Sequence, residues 1–243
     1  MISNIFRIAG LNIRIVSVYG YAQELCRDYM IYTGQPDIEI FIKEEDIDNE
    51  IALQDRTEHE SIKTKISRPY YESLAVYRKI AENIVAFDAF LIHGSCIAVD
   101  NKAYLFTAPC STGKSTHTYL WRMLLKDRAV MVNDDKPIIR FCEGIPTVFG
   151  TPWNGKHRIG SNISVPLKAV CMIERSEANG ISRVNAGDSF LSLVQQTYRP
   201  MEPEKVIRTL DMINALLKTV DIWKLRCNMS IEAASVAYDA MKG

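Results

Sequence analysis

The sequence predicts a mixed α/β fold in which antiparallel strand pairs are prominent, preceded by a small strand-rich N-terminal subdomain. Apolar segments with strand-like alternation and stretches with helical periodicity follow one another along the chain. Two strands near the middle of the chain are joined by a very short connection, which requires an antiparallel pair. Further strands follow one another without an intervening helix, so the chain is not a plain doubly wound βαβ alternation.

Composition limits the classes of partner. The chain has 243 residues, 47% of them hydrophobic, which is enough for a sizeable core. Lys plus Arg and Asp plus Glu both number 29, so the net charge is zero and we expect neither nucleic acid nor a membrane as a main partner. No apolar window approaches the ~18 residues of a membrane span, and the N-terminus does not resemble a signal peptide. The six scattered cysteines lack zinc spacing, and we expect a cytoplasmic protein with reduced thiols.

Residues 1–68 are expected to form the small N-terminal α+β subdomain. The segments FRIAG, LNIRIVSV and DIEIFI indicate strands, and YAQELCRDYMIY between the last two indicates a helix. The alternation of Leu11, Ile13 and Ile15 predicts a strand with one buried face. The segment 44–68 is polar and charged and is expected to be a flexible connection.

The second domain is expected over residues 69–243 and begins with a helix over 70–87, whose apolar residues recur on one stripe. Strands are predicted over 91–99 and 103–108. The dipeptide Asp100-Asn101 between them favours a tight turn, and therefore an antiparallel hairpin.

The rest of the second domain alternates between helices and strands. A helix is expected from about residue 114 to 126, and the segments AVMVN, DDKPIIRF, IPTVFG and PLKAVCMIE are expected to be strands. Helices over 186–197 and 202–218 follow, and Pro203 suits the first turn of the second of these helices. The strand VDIWKLRC and a helix over 230–242 end the domain.

The segment TAPCSTGKST fits the template of a phosphate-binding loop, with Ala108 in place of the first glycine. Gly113 allows the backbone to bend close to an anion, Lys114 can place its charge on the β- and γ-phosphates, and the Ser115 hydroxyl can ligate Mg²⁺. The strand AYLF enters the loop and a helical stretch leaves it. The alternative is a chance turn before a helix. The nucleotide-binding residues expected here are Ala108, Pro109, Cys110, Ser111, Thr112, Gly113, Lys114, Ser115 and Thr116.

Two aspartates end the apolar strand VMVNDD. Asp134 follows Lys114 by 20 residues, as expected for the next strand after one helix. A carboxylate at this strand end can hold Mg²⁺, and a second can accept a proton from an attacking hydroxyl. The alternative is a solvated turn, since Asp-Asp-Lys-Pro favours turns. We expect Ser115 and Asp134 to hold the metal, and Asp134 and Asp135 to be catalytic.

His93-Gly94 precedes the phosphate-loop strand, and a lone strand histidine is usually structural. The order HG, apolar strand, phosphate loop, helix, strand, DD resembles the HPr kinase/phosphorylase family over about residues 90–175. It is also similar to the ATP-dependent phosphoenolpyruvate carboxykinases, whose loop has a TGK core. The resemblance implies that Lys114 and Ser115 hold the phosphates and the metal, and that His93 lies beside the transferring phosphoryl group, with His93 and Lys114 both catalytic. It leaves open which aspartate is the general base.

The resemblance implies an ATP-dependent kinase that uses ATP and Mg²⁺, with Mn²⁺ as an alternative metal. The implied acceptor is a serine-type hydroxyl in a peptide, a protein or a small molecule. A phosphoenolpyruvate carboxykinase-like enzyme and a non-catalytic nucleotide-binding regulator are the alternatives. Related HPr kinases form oligomers, which allows a homo-oligomer here.

The segment FGTPWNGKHRIGSN, residues 149–162, is rich in loop residues and carries aromatic and basic side chains. Such a segment can form an acceptor site in which a cation neutralises charge on the transferring group. The alternative is a solvated basic turn anchored by a packed tryptophan. The acceptor contacts expected here are Trp153, Asn154, Lys156 and Arg158.

Overall fold

The computed structural model describes residues 1–57 and 67–243. The chain divides into two compact units, Met1–Asn83 and Ile84–Gly243. The helix after residue 67 belongs to the first unit, whereas the second domain was predicted to begin at residue 69.

Among its described residues, the first unit contains a four-stranded sheet in the order β3-β1-β2-β4. Its strands are β1 (Ile2–Ile8), β2 (Leu11–Ser17), β3 (Met30–Ile31) and β4 (Ile38–Phe41). Strand β1 pairs antiparallel with β2, and β2 pairs parallel with β4. Leu11, Ile13 and Ile15 are buried, which confirms the predicted one-sided strand.

The helices of the first unit are α1 (Tyr21–Leu25), α2 (Glu44–Thr57) and α3 (Arg68–Asn83). The predicted helix YAQELCRDYMIY is wrong beyond α1, because its end forms a 3-10 turn and then β3. The flexible connection predicted over 44–68 is also wrong for residues 44–57, which form α2; residues 58–66 lie outside the described residues.

The charges of α2 explain the wrong prediction. They are not solvated along a linker but pair with α3: Glu44 and Asp48 bind the Arg68 guanidinium group, and Glu50 binds that of Arg78. Glu50 is only 5% exposed, so its ion pair joins the two helices. Exposed ion pairs such as that of Glu44 and Arg68 stabilise little by themselves, so the buried residues Ile47 and Glu50 are what hold this polar helix in the unit.

The second unit is built on a nine-stranded mixed sheet within the part of the chain that the structure describes. Seven strands follow the order β5-β9-β10-β11-β7-β6-β8, and β13 pairs with β11 and β12. Strands β7, β11 and β13 are parallel, and the remaining pairings are antiparallel. The strands are β5 (Ala89–Leu91), β6 (Ser95–Val99), β7 (Lys102–Thr107), β8 (Ala129–Asn133), β9 (Ile138–Cys142), β10 (Ile145–Phe149), β11 (Ser164–Arg175), β12 (Gly180–Arg183) and β13 (Asp221–Cys227).

The mixed α/β prediction is confirmed, but the strand predicted over 91–99 is divided. Strand β5 pairs with β9, whereas β6 pairs with β7. At Gly94 a Cβ atom would lie 2.8 Å from a Leu105 methyl group and 3.0 Å from the Phe106 carbonyl oxygen, so the chain crosses close to β7 there. The Asp100-Asn101 turn joins β6 to β7 as predicted, with both residues at positive φ.

Helices cover both faces of this sheet. They are α4 (Lys114–Leu125), α5 (Ala186–Gln196), α6 (Pro203–Thr219) and α7 (Ile231–Met241). Alternate residues of β6 and β7 enter two separate apolar cores, one with α5 and α6 and the other with α4 and α7. No helix within the described residues has the length and apolar character needed to cross a membrane.

Candidate functional site

The loop between β7 and α4, residues 108–113, ends at the first turn of a 12-residue helix. Gly113 is the N-cap residue and has φ of +122°, a conformation that a residue with a side chain rarely adopts. No side chain caps this helix end. The unpaired N–H groups and the positive end of the α4 dipole therefore face the loop, an arrangement suited to an anion.

Lys114 lies beneath this loop and is only 8% exposed. Its ammonium group donates hydrogen bonds to the carbonyl oxygens of Ala108 at 2.9 Å and Pro109 at 3.3 Å. Burial lowers the pKa of Lys114, while the neighbouring acidic groups Cys110 and Asp135 act in the opposite direction. The loop thus carries a positive charge on its inner side.

Arg175, the last residue of β11, holds the loop from outside. Its Nε atom donates to the Thr112 carbonyl oxygen at 3.2 Å, and its Nη2 atom donates to that of Ser111. Ser111 has a positive φ of 61°. These bonds turn the two carbonyl groups toward Arg175 and so help to set the direction of the loop N–H groups.

Asp134 follows β8 and is oriented by neighbouring hydroxyl groups. The Ser95 hydroxyl donates to Asp134 Oδ1 at 2.6 Å and lies 2.8 Å from the Thr118 hydroxyl of α4. Burial raises the pKa of Asp134, and hydrogen bonds from Ser95 and Ser115 oppose that shift. The carboxylate is therefore directed toward the first turn of α4.

Asp135 faces a different set of groups. Its Oδ1 atom lies 3.5 Å from His93 Nε2 and 3.4 Å from the Lys136 ammonium group. The other ring nitrogen of His93, Nδ1, lies 3.2 Å from Gln196 Oε1. Burial lowers the pKa of His93, and the charges of Lys136 and Lys114 lower it further. A neutral imidazole thus lies beside the second carboxylate.

Asn133 shapes the turn that presents both aspartates. It is fully buried, and its Oδ1 atom accepts hydrogen bonds from the backbone N–H groups of Asp135 at 2.9 Å and Lys136 at 2.7 Å. Its Nδ2 atom donates to the carbonyl and hydroxyl oxygens of Thr151, both at 3.1 Å. The aspartate pair consequently has a defined direction and is not a freely solvated turn.

One cavity of about 770 Å³ is lined by most of the predicted nucleotide-binding and catalytic residues. Its polar wall contains His93, residues 110–116 of the loop and helix start, and both Asp134 and Asp135. The two remaining loop residues, Ala108 and Pro109, line a separate cavity of about 510 Å³ instead. Apolar side chains form another part of the larger cavity, namely Leu120, Ile173, Cys227 and Met229.

The predicted acceptor segment reaches a smaller cavity of about 270 Å³ through two residues, His157 and Ile159. This cavity shares Ser115, Thr116 and Asp134 with the larger one. The four residues expected to contact an acceptor are not among the described residues that line either cavity: Trp153, Asn154, Lys156 and Arg158. The Asn154 side chain is instead close to Gly160, where a Cβ atom would lie 3.0 Å from Asn154 Cβ.

Sequence reasoning missed several residues that contact the predicted ones. Asn133 and Lys136 flank the aspartates directly, so their position in the sequence was a usable signal. Ser95 follows His93 by two residues on the same stretch of chain. Arg175 and Gln196 carry no local signal, because they reach the site from β11 and the end of α5.

The donor set near α4 fits a magnesium ion bound together with a phosphate. Within the described residues there is no cluster of three or more His, Cys, Asp or Glu that could hold a metal by itself. Mg²⁺ keeps several waters and takes one or two carboxylates plus substrate phosphates, so it needs no such cluster. The Ser115 hydroxyl and the Asp134 carboxylate supply suitable oxygen atoms beside the loop.

No family model and no curated protein matches this chain. Among solved structures, the HPr(Ser) kinase/phosphatase from Coxiella burnetii is similar with a TM-score of 0.35 and 9% sequence identity, over 63% of this chain and 99% of that one. So distant a likeness establishes neither family nor activity. The function therefore has to be inferred from the side chains of the site.

Proposed function

We propose that this protein is an ATP-dependent kinase that transfers the γ-phosphoryl group to a hydroxyl acceptor. One observation carries the proposal: a single cavity is lined by the helix-start loop with Lys114 and by the Asp134–Asp135 pair with His93. Phosphoryl transfer depends on positive groups around the phosphates and on carboxylates for the metal and the proton. Both kinds of group line this cavity.

The β7–α4 loop would bind the phosphates through its backbone N–H groups and the positive end of α4. Lys114 would exchange its hydrogen bonds to Ala108 and Pro109 for phosphate oxygens. The cavity volume of about 770 Å³ lies within the range of roughly 300–1,000 Å³ that is usual for ligand pockets. The apolar wall that includes Ile173 and Met229 offers a surface for the nucleoside.

Ser115 and Asp134 are the residues that would hold Mg²⁺, or Mn²⁺, which takes the same oxygen ligands. The metal supplies positive charge that neutralises the β- and γ-phosphate oxygens. Ser95 keeps the Asp134 carboxylate turned toward this position through its 2.6 Å hydrogen bond.

In the transfer, the acceptor oxygen bonds to the γ-phosphorus, the bond from phosphorus to ADP breaks, and the hydroxyl proton passes to a carboxylate. Asp134 and Asp135 would divide metal binding and proton acceptance between them. Asp135 lies beside His93 and Lys136, which keep its side chain in place at the edge of the cavity. Positioning and charge neutralisation would supply most of the rate.

The test is label transfer from γ-labelled ATP with Mg²⁺ to a size-fractionated extract of the native host. Wild type is compared with Lys114→Ala and with Lys126→Ala, an exposed lysine just beyond α4. We expect label in one fraction class with wild type and the control, and none with Lys114→Ala.

Equal labelling by Lys114→Ala would contradict the proposed role of the loop. ATP binding without any transfer would favour the non-catalytic regulator. Formation of phosphoenolpyruvate from oxaloacetate with Mn²⁺ would favour the carboxykinase.

A further inference from the structure

A second cavity of about 270 Å³ lies beside the larger one, along the outer side of α4. The two cavities share Ser115, Thr116 and Asp134, which form the border between them. The proposed site of the transferring phosphoryl group lies at this border. The rest of the smaller cavity is lined by Thr118, Tyr119, Arg122, Met131, His157 and Ile159.

Arg122 brings an uncompensated positive charge to this cavity. Its guanidinium group is exposed and makes no hydrogen bond or ion pair with any residue that the structure describes. Two other arginines of the same unit are paired, Arg128 with Asp100 and Arg208 with Asp88. Arg122 therefore presents all its donors to whatever enters the cavity.

His157 faces the same cavity from the opposite wall, the 149–162 segment. Its side chain has no hydrogen-bond partner among the described residues. The cavity is thus lined by one guanidinium group, at Arg122, and by one carboxylate, at Asp134, where it meets the larger cavity. Such a polarity suits a ligand with an anion at one end and a hydroxyl at the other.

We infer that this cavity binds the phosphoryl acceptor, and that the acceptor is a small hydroxyl compound with a carboxylate or phosphate group a few bonds from its hydroxyl. The inference rests on the proposed kinase function. The anionic group would bind Arg122, whose planar guanidinium group matches the oxygens of a carboxylate or a phosphate. The hydroxyl would lie at the border with the larger cavity, whose wall carries both Asp134 and Asp135.

The dimensions of the smaller cavity agree with a small acceptor molecule. The volume lies below the roughly 300–1,000 Å³ of pockets for drug-sized ligands. Arg122 follows Ser115 by seven positions on α4, which corresponds to about 10 Å along the axis at ~1.5 Å per residue. Long helical side chains lean toward the helix N-terminus, so the Arg122 side chain shortens this gap.

Charge gives the cavity a physical role in the reaction. An anionic acceptor that approaches the triphosphate is repelled by it, and the repulsion is strong in a partly buried site. Lys114 would neutralise the nucleotide side, and Arg122 would neutralise the acceptor side. The acceptor hydroxyl can then reach the γ-phosphorus, where its oxygen forms the new ester bond and its proton passes to a carboxylate.

The experiment is a calorimetric titration of the protein saturated with Mg²⁺ and a non-hydrolysable ATP analogue. D-glycerate and glycerol 3-phosphate are the anionic probes, and glycerol is the neutral one. We expect the anionic probes to bind more tightly than glycerol. The Arg122→Gln substitution should weaken the binding of the anionic probes at least about tenfold, because a hydrogen bond to a charged group is worth ~1.5–3 kcal/mol.

Lys126→Gln is the matched control and should bind the probes like wild type. The ATP analogue is titrated first, and its affinity should be unchanged in Arg122→Gln. Absence of analogue binding in wild type would overturn the proposed kinase function itself. With the analogue bound, the acceptor inference is overturned if neither anionic probe binds more tightly than glycerol. It is also overturned if the Arg122→Gln variant binds the anionic probes as tightly as wild type does. The preferred probe distinguishes a carboxylate from a phosphate acceptor.

Discussion

The Ser95 hydroxyl group donates a hydrogen bond to the Asp134 carboxylate at 2.6 Å. This bond links β6 to the residue that follows β8, and the two strands pair antiparallel with an irregularity at Cys96. Ser95 is fully buried, so its hydroxyl has few alternatives to this carboxylate and Thr118. The orientation of Asp134 is therefore set by the sheet.

Replacing Ser95 with alanine should lower kcat about tenfold and leave the KM for ATP unchanged. A hydrogen bond to a charged group contributes ~1.5–3 kcal/mol, and ~1.4 kcal/mol corresponds to a factor of ten in rate. The measurement is steady-state kinetics, with thermal unfolding as a check that the core is intact. An unchanged kcat in a folded variant would show that Asp134 does not need this bond.

The two aspartates should respond differently to replacement by asparagine. Asp135→Asn should abolish transfer and spare nucleotide binding, since it removes a proton acceptor. Asp134→Asn should raise the Mg²⁺ concentration needed for half-maximal rate, since it removes a metal ligand. Transfer rates across a magnesium titration, with nucleotide affinity measured separately, test both. The reverse pattern would exchange the two roles.

Arg175→Gln should weaken ATP binding about fivefold to thirtyfold. The guanidinium group holds the Ser111 and Thr112 carbonyls, and loss of such bonds costs ~1–2 kcal/mol. Calorimetric titration with ATP measures the change, and Arg128→Gln, which alters a surface pair with Asp100, serves as the control. Equal affinities in both variants would mean that the loop keeps its shape without Arg175.

His117 should make unfolding of the second unit depend on pH. It is 2% exposed, its Nε2 atom accepts a hydrogen bond from Trp121 at 3.0 Å, and burial lowers its pKa to about 4. Below the ordinary histidine pKa of 6.5, the unfolded chain binds a proton that the folded chain does not. The free energy of unfolding should thus fall as pH decreases from about 6.5 toward 4.

The loss can reach about 3 kcal/mol, at ~1.4 kcal/mol for each unit of pKa difference. Urea denaturation at pH 7 and pH 5 measures it. His117→Gln should reduce this dependence, because the glutamine side chain does not titrate. The same slope in both proteins would assign the effect to other groups.

Local patterns in the sequence were sufficient to predict much of the secondary structure around the candidate site. The hairpin through Asp100-Asn101, the strand–loop–helix around Lys114 and the aspartates at the end of β8 all appear where they were predicted. Each depends on residues that are close in the chain. Periodicity and turn chemistry act over that range, so a single sequence is informative there.

Tertiary structure decided what depends on distant partners. The charged segment that begins at Glu44 forms a helix whose carboxylates pair with arginines of α3, and no pattern within the segment indicates that partner. Arg175 reaches the loop from β11, and His157 reaches Asp134 from the segment after β10. A side chain's role in a cavity depends on which strands become neighbours. Strand neighbours are selected by burial of the whole sheet, a property of the folded chain and not of any local segment.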